Sequence, residues 1–96
     1  MAVPVGHAGL VLPRSGLAIK QGLTLINTPG LIDAGYRGEV KVAAVNLDPH
    51  TAVDIKAGDR VAQLLIVPFA QVNIVRVSSL DDTQRGEGGF GSSGLG

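Results

Sequence analysis

No cysteine occurs anywhere in the 96 residues, which removes disulfide frameworks and Cys-based zinc sites from consideration and fits a reducing compartment. Charge of either sign is not in excess. Eight basic residues balance eight acidic ones, which argues against wholesale polyanion binding driven by a basic surface. No apolar run approaches the ~18 residues of a membrane-spanning helix. The start Met1-Ala2-Val3-Pro4-Val5-Gly6-His7 lacks the basic head and long apolar stretch of a signal peptide. A soluble, cytoplasmic protein is the expectation. Length is scarce as well: it leaves room for one domain with a modest core, and small β-rich chains often need partner subunits.

What is present is mostly a period of two. Residues 39–47 alternate and then run apolar, as a strand does on passing from a half-exposed edge to a buried middle. The same pattern recurs at 23–26, 52–55, 60–67 and 71–77, separated by turn-rich breaks. Short strands at this spacing predict a sandwich or barrel. One segment departs from it. After Pro13, residues 14–21 are compatible with one or two helical turns, with proline at the entrance and Gly22 as the C-terminal cap. Arg14 and Ser15 fall at the start of those turns, where amide N–H groups attract anions. From Ser78 onward the apolar signal fades and six of the last eleven residues are glycine, so a core over 1–77 and a mobile tail over 78–96 are expected.

The most informative stretch is Asn27-Thr28-Pro29-Gly30-Leu31-Ile32-Asp33-Ala34-Gly35-Tyr36-Arg37-Gly38. Asn, Pro and Gly suffice for a bend; a carboxylate and a tyrosine three residues apart are surplus to it and read as a site. Tyr36 alone would more often be a packing residue, and Arg14-Ser15-Gly16 alone a plain capping turn. Gly86, Gly88 and Gly91 match G-x-G-x-x-G by spacing, but a dinucleotide site needs a strand before them and a long helix after. Asp59 and Arg60 suggest a local ion pair at a hairpin turn. Gln63 is either solvent-facing or a ligand contact. His7 and His50 have no matched ligand spacing and read as surface or packing residues. Arg85 and Phe90, isolated among glycines, have no core to join.

In order along the chain, Pro13 to Ala18, Asn27 to Gly38, Gly58 to Leu64 and Arg85 to Gly94 resemble the second to fifth motifs of the trimeric dUTPase family. The resemblance covers nearly the whole sequence. It implies an all-β, jelly-roll-like barrel with one short helical turn and a Gly-rich tail that closes over nucleotide. It further implies hydrolysis of dUTP to dUMP and pyrophosphate by water attack on the α-phosphorus, with Mg2+ spanning the phosphates, in a homotrimer with composite sites. By position in the motifs, Asp33 orients the water and contacts the sugar 3′-hydroxyl. Tyr36 lies against the deoxyribose, Asn27 and the backbone of Leu31, Ile32 and Asp33 meet the uracil edge, and Lys41 sits beside this pocket. Arg14, Ser15, Gly16 and Gln63 fall to the phosphates. Phe90 stacks on uracil, Arg85 reaches the γ-phosphate, and Ser92 and Ser93 add donors.

Residues 1–12 carry nothing like the family's first motif, whose acid helps to hold magnesium through water. An N-terminal portion of the fold is therefore expected to be lacking, and no metal-ligand residue is assigned. Two other functions remain open: a non-catalytic nucleotide-binding module, and the related dCTP deaminase, which would need a different set of acids around the base.

Overall fold

A computed structural model of the chain describes residues 1–89. β1 (His7–Pro13) is the centre of the larger sheet. It pairs antiparallel on one side with β3 (Gly30–Ile32), in the register Leu10↔Leu31. On the other side it pairs antiparallel with β5 (Ala62–Pro68), in the register Leu12↔Gln63. A second, two-stranded sheet joins β2 (Leu23–Leu25) to β4 (Ala44–Asn46), again antiparallel. Between β1 and β2 lies the single helix among the described residues, α1 (Ser15–Gln21).

The helix begins and ends where backbone chemistry dictates. Arg14 is extended (φ −91°, ψ 125°) as the N-cap residue, with no side-chain cap. At the far end Gly22 adopts φ 74°, a left-handed conformation that favours glycine, and its N–H is given to the carbonyls of Ala18 and Leu17. Lys20 in the last turn complements the helix dipole.

The two sheets meet over a small core. Val11 of β1 and Ile32 of β3 pack with Leu25 of β2 and with Val3, flanked by Val40 and Ala62. Ala8 and Leu23 complete the set of buried hydrophobic residues among those described. No side chain there is sealed off completely. The radius of gyration is 18.9 Å, against about 12.5 Å for a compact chain of this length.

Three sequence expectations change. The strand anticipated over 39–47 contracts to Ala44–Asn46, because the Glu39 carbonyl is engaged by the Tyr36 hydroxyl (2.6 Å) rather than by a neighbouring strand. Residues 52–55 form no strand. Just before them the Asp48 carboxylate accepts the N–H groups of His50 (2.8 Å) and Thr51 (3.0 Å), a local closure that competes with ladder formation. Residues 71–77 also stay outside both sheets; Val72 is 79% and Ile74 97% exposed. The described residues therefore make two open sheets and no closed barrel. Among the described residues no helix is long and apolar enough to cross a membrane.

Candidate ligand-binding site

Two cavities share no lining residue. The first, about 210 Å3, is bounded by Val11, Asn27, Gly30, Leu31, Ile32, Asp33, Tyr36, Glu39, Val40 and Lys41. Its floor is β3, an edge strand, and strand edges present unpaired N–H and C=O groups. Alternating donors and acceptors are what the hydrogen-bonding edge of a base requires. Beyond β3 the chain turns at Asp33: the Tyr36 N–H is donated to the Asp33 carbonyl (3.1 Å). Arg37 holds the same turn by donating from Nη1 to the carbonyls of Ala34 (2.7 Å) and Tyr36 (3.1 Å). The Asp33 carboxylate is exposed at the cavity, where it is open to water.

Cationic groups line the second cavity, of about 470 Å3, formed by Arg14, Ser15, Gly16, Leu17, Lys20, Gln21, Arg60 and Gln63. It sits where β1 passes into α1 and β5 runs alongside. Gln63 ties these parts together by donating from Nε2 to the Pro13 carbonyl (3.0 Å). Three positive side chains and a hydroxyl around one hollow suit an anion with several oxygens.

The sequence-chosen residues thus sort themselves. Asn27, Leu31, Ile32, Asp33, Tyr36 and Lys41 gather at the first cavity; Arg14, Ser15, Gly16 and Gln63 gather at the second. Arg85 reaches neither and is folded on its own loop, donating from Nε to Gly88 O (2.7 Å) and from Nη2 to Gly89 O (3.2 Å). Phe90, Ser92 and Ser93 lie outside the described residues. The Asp59–Arg60 ion pair is corrected: the Asp59 carboxylate accepts the Lys56 N–H (2.9 Å), while Arg60 turns to the cationic cavity. Lys20 and Arg60 were not chosen from sequence. Only the β1–β5 register, with Pro13 opposite Ala62, brings residue 60 beside the helix start.

Among the described residues no group of three or more His, Asp or Glu side chains is placed to hold a metal ion. They do not form a protein cage for the magnesium that the resemblance implies.

These features define a small antiparallel β protein with a split polar site, one part hydrogen-bonding and one cationic. Comparison with known proteins names the family. The dUTPase family model matches residues 1–94, and the chain belongs to the dUTPase family. It is 58% identical over 94 residues to the deoxyuridine 5′-triphosphate nucleotidohydrolase of Rhodococcus erythropolis, covering 98% of this chain and 57% of that protein. To the enzyme of the same name in Mycobacterium tuberculosis it is 56% identical over 99 residues, covering 98% of this chain and 64% of that protein. The chain thus spans about three-fifths of the length of these relatives. A mutant Staphylococcus bacteriophage 80alpha dUTPase, solved with dUpNHpp, is similar in structure at a TM-score of 0.82. Its sequence identity is 30%, and the match covers 98% of this chain and 70% of that one.

Proposed function

We propose that this chain is a subunit of a cytoplasmic dUTP diphosphatase, hydrolysing dUTP to dUMP and pyrophosphate. The observation that carries the reading is the division of the site. The cavity holding Asn27, Asp33 and Tyr36 falls below the ~300–1,000 Å3 usual for ligand pockets. That suits a nucleoside without its phosphates, and the cationic cavity suits the phosphates.

In this reading the uracil edge lies along β3, meeting the backbone of Leu31, Ile32 and Asp33 and the Asn27 amide. The Tyr36 ring lies against deoxyribose and occupies the space that a 2′-hydroxyl would need. Asp33 accepts a proton from a water aimed at the α-phosphorus, the usual work of a positioned base. The new P–O bond replaces the bond to the bridging oxygen, and pyrophosphate leaves. Arg14, Ser15, Gly16 and Gln63 hold phosphate oxygens, and Lys41 lies beside the nucleoside. Magnesium belongs to this reading only as the counter-ion that arrives with the triphosphate.

Because the two cavities are separate within one chain, a complete site combines the nucleoside cavity of one subunit with the phosphate cavity of another. The exposed apolar run at 71–77 and the small core support a homotrimer in which the jelly-roll barrel closes. Residues 78–96 then act as the segment that covers the nucleotide, with Phe90 stacked on the base and Ser92, Ser93 and Arg85 on the phosphates.

Pyrophosphate release from dUTP, dTTP, dCTP and UTP tests the reading: dUTP should be hydrolysed far faster than the other three, and equal rates sink it. Binding of dUTP without release would instead establish a non-catalytic nucleotide-binding module. Ammonia from dCTP would establish a deaminase. For assembly, light scattering should give three times the chain mass, and Ile74→Asp should reduce it to one.

A further inference from the structure

The glycine at position 38 has no conformational reason to be one. Its backbone is outside the left-handed region, which among the described residues is occupied only by Gly6, Gly22, Gly58 and Gly86. It is also exposed, so core packing does not demand a small residue there. The demand comes from one neighbour. A Cβ at position 38 would meet, as its three nearest atoms, the Tyr36 hydroxyl oxygen, then Cζ at 2.6 Å and Cε1 at 2.8 Å. Real Cβ atoms essentially never approach that closely, so the ring, whose far end these atoms are, must shift and release its hydroxyl's bond to Glu39 O.

The Tyr36 ring lies back across residue 38 because the residue's backbone and its hydroxyl are both tied. The Tyr36 backbone N–H is donated to the Asp33 carbonyl (3.1 Å), and the ring hydroxyl crosses the glycine to donate to Glu39 O (2.6 Å). Tyr36, Glu39 and Asp33 all line the nucleoside cavity, whereas Gly38 does not; it stands behind the ring. By contrast, a Cβ at Gly35, in the same turn, would meet nothing. We infer that Gly38 is a positioning residue: its missing side chain sets how far the Tyr36 ring projects into the cavity, and so sets discrimination against a 2′-hydroxyl. This rests on the reading of the cavity as a deoxyribonucleoside site.

In Gly38→Ala the hydroxyl end of the ring must lift from Glu39 O, and the ring loses its fixed depth. The dUTP:UTP ratio of kcat/KM should fall about tenfold or more, within the range by which pocket shape separates close analogues. Tyr36→Ala should lower the ratio comparably, and adding Gly38→Ala to it should lower the ratio no further. The same pair forms a stability cycle. Gly38→Ala should lower Tm by several degrees in the wild type and hardly at all beside Tyr36→Ala, where the ring it strikes is gone. Gly35→Ala should leave both quantities unchanged.

Nucleotide-free protein gives an independent readout. The Gly38 α-protons should show NOEs to the Tyr36 ring. Their absence, or a Gly38→Ala ratio unchanged where Tyr36→Ala lowers it, overturns the assignment. A ratio unaffected by Tyr36→Ala itself overturns the sugar reading instead, and the NOEs then decide the geometry alone.

Discussion

Of the ten residues around the cavity proposed for the nucleoside, nine lie between Asn27 and Lys41 and only Val11 comes from elsewhere. The cationic cavity is built differently. Six residues from Arg14 to Gln21 meet Arg60 and Gln63, and they meet because β5 pairs with β1. The first is a product of local chain geometry: an edge strand, a turn closed by the Tyr36 N–H, a ring tied to Glu39. The second depends on strand register. The teaching is that a hydrogen-bonding cavity can be written into one short segment, whereas a charge cluster needs distant parts of the chain to be brought into line.

Damage to the local cavity should therefore change which substrate is used and whether it reacts, and damage to the register-dependent one should change how tightly phosphates are held. Asp33→Asn carries the largest expected effect, a loss of turnover of about a hundredfold or more, the scale of general-base catalysis. Pyrophosphate release under saturating dUTP measures it, and an unchanged rate removes Asp33 from that role. Next comes Arg14→Ala. A charge-assisted hydrogen bond is worth about 1.5–3 kcal/mol, so dUTP affinity should fall about ten- to hundredfold while deoxyuridine affinity stays the same. Calorimetry with both ligands breaks the comparison if they weaken together.

Gln63→Leu should be milder. It removes one neutral hydrogen bond to Pro13 O, worth about 0.5–1.5 kcal/mol, and should lower Tm by a few degrees. It should also weaken triphosphate binding severalfold. A shift in the dUTP:dCTP preference would show instead that the two cavities are not separate in function. The smallest effect on substrate use is that of Gly22→Ala. The left-handed φ and a Cβ 3.1 Å from the Asp48 N should together cost about 1–2 kcal/mol, read as a lower denaturation midpoint with base and sugar selectivity unchanged.

The same contrast explains what the sequence made legible. The α1 boundaries could be read from Pro13 and Gly22, which act on their own backbone. Four of the six residues at the first cavity chosen from the sequence come from Leu31 to Tyr36, where turn chemistry carried more functional groups than a turn needs. Lys20 and Arg60 stayed hidden because no local pattern states that Pro13 faces Ala62. Alternation at 52–55 and 71–77 predicted strands that do not pair, for different reasons. Beside the first, Asp48 captures nearby amides; the second finds no strand to join among the described residues. Apolar alternation signals a face that can be buried and leaves open what buries it.

Arg85 is already occupied. Its guanidinium donates to Gly88 O and Gly89 O, the Gly88 N–H is returned to Arg85 O (3.2 Å), and Thr83 Oγ1 accepts from the Gly86 N–H (3.0 Å). A phosphate that recruits this arginine must therefore displace two carbonyls, and binding becomes an exchange of acceptors rather than an addition of one. Carbonyls are neutral, so a phosphate that reaches the loop wins the exchange. In the proposed reading the γ-phosphate of dUTP reaches it and the single phosphate of dUMP does not. The Arg85 Nε resonance should move on adding dUpNHpp and stay in place with dUMP.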